Sequence, residues 1–236
     1  MVTLPTLREM LDAGVHFGHK TSRWDPRMKK YIFTSKNGVH VINLEKTEEN
    51  LKEAVEFLSK SVANGRNIVF VGTKKQAQEI VKRAAESCGC AYVADRWLGG
   101  TLTNYPVILK AVKNLERMQL KMASPDLEEM KKRDRVKMQK AIEKAERLVG
   151  GLLGQSNRPD ILILIGSHDE KNAVKEADKV GIPMVALTDT NANPELVDYT
   201  IPANDDATKS ISLFADLFAK VIREAKNAAK VANQKS

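Results

Sequence analysis

Two runs of this chain carry residue types that do not suit an ordinary core element: Arg96-Trp97-Leu98-Gly99-Gly100-Thr101-Leu102-Thr103-Asn104 and Gly14-Val15-His16-Phe17-Gly18-His19. In the first, a guanidinium fork and an indole face stand beside a glycine pair that lets backbone come close to a partner. Thr101, Thr103 and Asn104 add short hydrogen-bonding side chains. That mixture suits sugar, phosphate and base, whereas proton transfer would want a positioned acid or base. Arg96 and Trp97 are therefore expected to project as a binding surface, with Thr101 and Asn104 beside them. In the second run, His16 and His19 could face one zinc ion with Asp189 or Asp205 completing the shell, since imidazole and carboxylate are adequate zinc ligands. Satisfied loop histidines, or histidines against RNA phosphate, are the weightier readings of so short a signal.

Charge points the same way. The chain has a formal net charge of +8, but unevenly spread. Lys20, Arg23, Arg27, Lys29, Lys30 and Lys36 face the single acid Asp25 between positions 20 and 36, and residues 104–149 hold 12 basic and 7 acidic side chains. Basic excess confined to two segments is the footprint of a polyanion partner. The first segment carries the stronger signal, because aromatics are interleaved there; the second reads equally well as a solvated helical face. Trp24 stands in that first stretch between Arg23 and Asp25-Pro26-Arg27, where a stacking or interface role is expected. Gly72-Thr73-Lys74-Lys75 follows a buried strand and opens a helix, a place where backbone N–H groups and the two lysines could receive phosphate. It lacks the second glycine and the Gly-Lys-Ser/Thr ending of a Walker loop.

The elements that would position these residues alternate. Tyr31 to Asn43 reads as a hairpin turning at Lys36-Asn37-Gly38, and Leu44, Leu51, Val55, Leu58 and Val62 recur at helical spacing. Apolar strands follow at Ile68–Val71, Tyr92-Val93, Ile161–Ile165, Pro183–Leu187 and Tyr199–Ile201, with helices between them and a long helix from about Ala207. Continuous apolar strands alternating with helices predict an α/β fold with a parallel sheet covered on both faces. Ile108, Ala111, Leu115, Met118 and Met122 are spaced 3-4-3-4, as are Met138, Ala141, Ala145, Leu148 and Leu152. That spacing predicts an antiparallel coiled-coil hairpin over residues 105–149, broken at Ser124-Pro125-Asp126 with Ser124 as N-cap, and projecting from a single domain of residues 1–236.

A 236-residue chain with 42% hydrophobic content and no long Gly/Ser/Pro stretch can bury one full core. Its longest apolar run is too short for a membrane span and its start lacks the pattern of a signal peptide, so a cytosolic protein is expected. Cys88 and Cys90, the only cysteines, exclude a disulfide framework and a four-cysteine zinc site.

The ordered motifs resemble the bacterial small-subunit ribosomal protein S-two family along nearly the whole chain. They are Gly14 to His19, Trp24-Asp25-Pro26-Arg27-Met28, Tyr31-Ile32-Phe33, Phe70-Val71-Gly72-Thr73-Lys74-Lys75-Gln76, Arg96 to Asn104, Asp189-Thr190-Asn191 and Ile201-Pro202-Ala203-Asn204-Asp205-Asp206-Ala207. The sequence departs from that pattern at Gly166-Ser167-His168, where relatives carry an Asp-Pro-Arg/Lys-like turn. The resemblance implies a flavodoxin-like three-layer sheet with an inserted helical hairpin. It further implies a structural role on 16S ribosomal RNA beside other small-subunit proteins, with help in docking the mRNA-binding ribosomal protein S-one. No catalysis, required cofactor, membrane or small-molecule substrate belongs to that picture. The competing class is a phosphate- or nucleotide-binding enzyme on a flavodoxin-like sheet.

Overall fold

The computed structural model of the chain describes residues 2–124 and 130–233. Helix α1 (Leu7–Asp12) starts at Thr6, whose hydroxyl accepts from the Glu9 N–H while the Glu9 carboxylate accepts from the Thr6 N–H. This reciprocal pair satisfies two donors that a helix start leaves orphaned. Three short strands follow: β1 (Phe17–Lys20), β2 (Ile32–Lys36) and β3 (Val39–Ile42), forming an antiparallel sheet in the order β1-β3-β2. The β2–β3 hairpin turns where expected, on Asn37 and Gly38 at φ of 52° and 75°. Both lie in the left-handed region, which a two-residue turn needs in order to match strand twist. Strand β1 was not expected; it begins within the run Gly14 to His19, ends at Lys20 and pairs with β3.

Next come α2 (Leu44–Ala63), β4 (Ile68–Val71), α3 (Lys75–Cys88), β5 (Ala91–Val93), α4 (Tyr105–Ala123) and α5 (Lys132–Val149). They are followed by β6 (Ile161–Ile165), α6 (Lys171–Val180), β7 (Met184–Thr188), β8 (Tyr199–Pro202) and α7 (Thr208–Asn233). The last five strands make one parallel sheet in the order β5-β4-β6-β7-β8. With β4 counted first this is 2-1-3-4-5, the flavodoxin-like order.

Strands β4, β6 and β7 are buried at every position, as a sheet covered on both faces requires. Alternate side chains split into two cores. Phe70, Ile163 and Leu187 face Leu58, Val81, Phe214 and Phe218 from α2, α3 and α7. Val69, Leu162 and Leu164 face the other way, toward Trp97, Leu115 and Val174. Gly72, at the end of β4, is required for space: a Cβ there would lie 2.7 Å from Val81 Cγ2 on α3.

Helices α4 and α5 pack on one another, and Gln119 Nε2 donates to Glu146 across them at 2.7 Å. Of the predicted 3-4-3-4 positions, Ile108, Leu115, Met118, Met122, Met138, Ala145, Leu148 and Leu152 pack with the second core, and one position in each helix is displaced by a residue. Ala111 and Ala141 are exposed, while Val112 and Ile142 are buried. The roots of both helices join the second core through Ile108, Val112, Leu115 and Val149. A helix packed on a globular core follows a 3.6-residue period, which moves the inward position from the one a 3.5-residue period selects. Ser124 closes α4 as its C-cap; Pro125 and Asp126 lie outside the described residues. Among the described residues, no helix is long and apolar enough to cross a membrane.

Candidate nucleic-acid interface

In an open parallel sheet, ligands enter at the carboxyl ends of the strands. Here that edge is closed by the chain itself. The N-terminal sheet is laid against it: Asn204 N–H donates to Val15 O at 3.0 Å, Asp25 N–H to Thr190 O at 2.8 Å, and His19 N–H to Thr190 Oγ1 at 2.8 Å. Between the two sheets lies a network of charges. His19 Nδ1 is 3.0 Å from Asp189 Oδ1 and its Nε2 is 3.3 Å from Asp206 Oδ2. Lys74 Nζ reaches Asp205 at 2.5 Å, Asp206 at 2.9 Å and Asp169 at 3.0 Å.

The network perturbs its members in ways that follow from burial and proximity. The hydrogen bond to Asp189 raises the pKa of His19 above its ordinary value, against some desolvation. Burial, with the charge of Asp189, pushes Asp205 up to about 7 although Lys74 pulls the other way. Burial also works against the Lys74 ammonium, but Asp205 and its neighbours outweigh it and hold its pKa well above the usual lysine range. The second Asp205 oxygen, Oδ2, has no partner among the described residues; a Cβ on Gly166 would come within 2.8 Å of it. Gly166, at φ of 92°, thus gives Asp205 room in a conformation other residues rarely adopt. This gives a structural reason for the glycine in Gly166-Ser167-His168.

Three expectations are corrected at this edge. Lys74 is not free for phosphate, since its side chain is only 12% exposed and clasped by three carboxylates. Nor does the loop offer a phosphate cradle, because Gly72 N–H donates to Val93 O and Thr73 N–H to the buried Glu170 carboxylate at 2.5 Å. Lys75, in contrast, is exposed. Finally, His16 and His19 do not converge as a zinc pair. His16 packs its ring on Phe17 at 4.0 Å, with a pKa lowered by burial, while only His19 joins Asp189; Asp205 is bound to Lys74 instead.

The Arg96 to Asn104 loop is also corrected in part. Trp97 is buried, 6% exposed, not a projecting face. Its indole N–H donates to Glu176 of α6 at 3.2 Å, and the same carboxylate accepts from the N–H groups of Gly100, Leu102 and Thr103 and from the Thr103 hydroxyl. Burial opposes the Glu176 charge, but these donors lower its pKa overall. The loop is therefore folded around an anchoring carboxylate, which explains the glycine and threonines without a ligand. Thr101 is buried with its hydroxyl on Leu98 O, whereas Arg96 and Asn104 remain exposed. Glu176 carried no local signal in the sequence; its partners lie more than seventy positions away.

The basic arm stands apart. Lys20, Arg23, Lys29, Lys30 and Lys36 are exposed, and none forms an ion pair among the described residues. Lys30 lies over the Tyr31 ring at 4.9 Å. Two residues of the arm are engaged within the chain instead, Arg27 while still exposed. Arg27 makes a two-pronged bond to Asp25, at 2.9 and 2.8 Å, and Trp24 is half-buried against the His40 ring at a centroid distance of 5.0 Å. Asp25 also caps the 3-10 turn Pro26–Tyr31. The acid and the tryptophan thus hold the arm in shape while its lysines face solvent.

A family model described as Ribosomal protein S2 matches residues 10–225. The Small ribosomal subunit protein uS2 of Francisella tularensis subsp. novicida (strain U112) is 48% identical over 219 residues, covering 93% of this chain and 92% of that protein. Its counterpart in Francisella tularensis subsp. tularensis (strain SCHU S4 / Schu 4) is 47% identical, and that of Francisella philomiragia subsp. philomiragia is 46% identical, over the same shares. An edge closed by its own charges, an arm of free cations and a match along nine-tenths of the chain agree: the protein belongs to the ribosomal protein S2 family, a family of ribosomal proteins and not of enzymes.

Proposed function

We propose that the chain is a structural component of the small ribosomal subunit that holds 16S ribosomal RNA through the arm of residues 20–36. The observation that carries this reading is the set of exposed cations Lys20, Arg23, Lys29, Lys30 and Lys36, none in an ion pair among the described residues, on the N-terminal strands and the turns between them. Cations already committed to carboxylates cannot displace counterions from phosphate; free ones can. Lys75, Arg96 and Asn104, all exposed, extend the footprint. The alternative of a nucleotide enzyme loses its site, because the carboxyl edge of the sheet is filled by His19, Lys74 and their aspartates. The zinc set of His16, His19, Asp189 and Asp205 does not assemble, since His16 is not part of the cluster in which the ligand atoms of His19, Asp189 and Asp206 lie within 4.8 Å of one another, and this reading requires no cofactor.

Residues 105–149 form, in this reading, an inserted helical hairpin rooted in the second core and projecting at its far end within a single domain. Contact with other small-subunit proteins, ribosomal protein S-one among them, and residence in the cytoplasm follow from the family resemblance. The RNA role is tested by mixing purified protein with small subunits assembled without it. Joint Lys20→Glu, Lys29→Glu and Lys36→Glu replacement is expected to weaken incorporation strongly while leaving the melting curve intact. Normal incorporation of that variant would remove the arm from the RNA interface.

A further inference from the structure

The two cysteines of the chain stand one residue apart, and they meet different environments. Cys88 is the last residue of α3 and is buried, whereas Cys90 follows the turn and is half-buried. The Cys90 N–H donates to Ala85 O at 2.9 Å, and the Gly89 N–H to Glu86 O at 3.2 Å. These bonds close the helix and fix the backbone that carries both sulfurs.

A cation from a distant element is aimed at this turn. Lys226 of α7 donates to Cys88 O and to Gly89 O, each at 2.9 Å, and its Nζ lies 3.7 Å from Cys90 Sγ. It forms no ion pair among the described residues, so its charge is directed at the carbonyls and the sulfur. The last carbonyls of a helix attract a cation by themselves, and the Cys90 sulfur stands in the same field. The hydrogen bond with Cys88 and the charge of Lys226 bring the Cys90 thiol down to about 7 although burial works the other way, while that same hydrogen bond and burial push the Cys88 thiol up. A thiolate is the nucleophile in disulfide exchange, and a lysine beside a half-exposed thiol favours it, whereas a buried neutral thiol is inert.

We propose that Cys90 is a site of reversible S-thiolation, taking one half of a low-molecular-weight disulfide while Cys88 stays reduced. The Cys90 thiolate attacks one sulfur of the small disulfide, and the new S–S bond forms as the old one breaks. The Cys90 sulfur is oxidised; the departing half is reduced and leaves as a thiolate that takes a proton from water. Lys226 is a positioning residue, holding the Cys90 sulfur in its charged form. Cys88 keeps its proton and does not displace the adduct, so the mixed disulfide persists until an external thiol removes it.

The test incubates the reduced full chain with glutathione disulfide and follows intact mass and peptide maps. One glutathione per chain is expected, on Cys90 and removable by dithiothreitol. Cys90→Ser should take none, and Cys88→Ser should still take one. The pH dependence of alkylation by iodoacetamide reads the effect of the cation. The Cys90 midpoint should lie near the value of about 7, rise by about one unit toward the ordinary cysteine value in Lys226→Met, and stay near the parent in Lys226→Arg. At pH 7, glutathione transfer to Lys226→Met should slow by only roughly threefold, since a more basic thiolate is also the better nucleophile. Absence of the adduct in the parent, equal labelling of both cysteines, or loss of two hydrogens as a Cys88–Cys90 disulfide would each overturn the proposal. A midpoint that Lys226→Met leaves in place would do the same. Should Lys226→Met open the fold, Cys88 would be labelled with Cys90; the parent and Lys226→Arg then decide, and a parent midpoint at the ordinary value of about 8.5 overturns the proposal.

Discussion

Lysine appears in two settings in this molecule, and the difference separates architecture from recognition. At the carboxyl edge of the parallel sheet, Lys74 is enclosed by Asp169, Asp205 and Asp206. In the arm, Lys20, Lys29 and Lys36 are exposed with no carboxylate partner among the described residues. By residue type the two look alike, and by motif Lys74 looks the better phosphate ligand. What decides is whether the charge is already neutralised within the fold. A buried ion pair holds elements in place at a desolvation cost, while a free cation remains available to a polyanion.

The comparison is broken most forcefully by removing the buried partner. Lys74→Met leaves Asp205 and its neighbours without their cation, so a stability loss of roughly 3–5 kcal/mol is expected in urea titrations at pH 8. The loss should shrink at pH 5.5, below the value of about 7 to which Asp205 is pushed, because the carboxyl can then take up a proton. A loss of the same size at both pH values would mean that the Asp205 charge is not what Lys74 stabilises.

Trp97→Ala should cost a similar amount, roughly 3–5 kcal/mol, since the side chain is buried in the second core and anchors the loop to Glu176. The fraction that folds should still incorporate into subunits. Normal stability with lost incorporation would restore Trp97 to the binding surface.

A smaller effect comes from His19. Its pKa is raised in the fold, so its contribution is fully present below the unfolded value of about 6.5 and is lost as pH rises through the folded value. Asp205, also raised, acts in the same direction: its protonated form is favoured by the fold, and stability falls as pH climbs toward and past about 7. Stability should therefore decline from pH 6 to pH 8, with a shallower decline in His19→Gln. An equal slope in the two proteins would place the titration elsewhere.

The parallel sheet was legible in the chain because strands buried on both faces are apolar at every position, and Ile161–Ile165 or Ile68–Val71 admit little else. The β2–β3 turn was legible from Asn37-Gly38 for an equally local reason. Strand β1 was hidden, since its glycine and histidine are poor strand formers and its partners on β3 lie well along the chain, Val41 opposite Phe17 and Val39 opposite Lys20. One position of the seam in each of α4 and α5 was displaced, because neighbouring apolar residues such as Ala111 and Val112 differ by one position and only packing on the core selects between them. The site shows the same division. The exposed cations of the arm could be counted from the sequence, since Asp25 is the single acid between positions 20 and 36 and engages Arg27 alone. The capture of Lys74 by Asp169, Asp205 and Asp206, all far along the chain, and of Trp97 by Glu176, could not, because both depend on the topology that brings α6 and the end of β8 to the same edge.

The salt dependence of binding to small subunits assembled without this protein tests the contrast between the two lysine environments most directly. Each cation on phosphate contributes about one unit to the slope of log affinity against log salt. The account predicts that joint Lys20→Glu, Lys29→Glu and Lys36→Glu replacement flattens that slope by about three units, whereas Lys74→Met, measured on folded protein, leaves it unchanged. An unaltered slope in the triple variant, or a slope lowered by Lys74→Met, would contradict it.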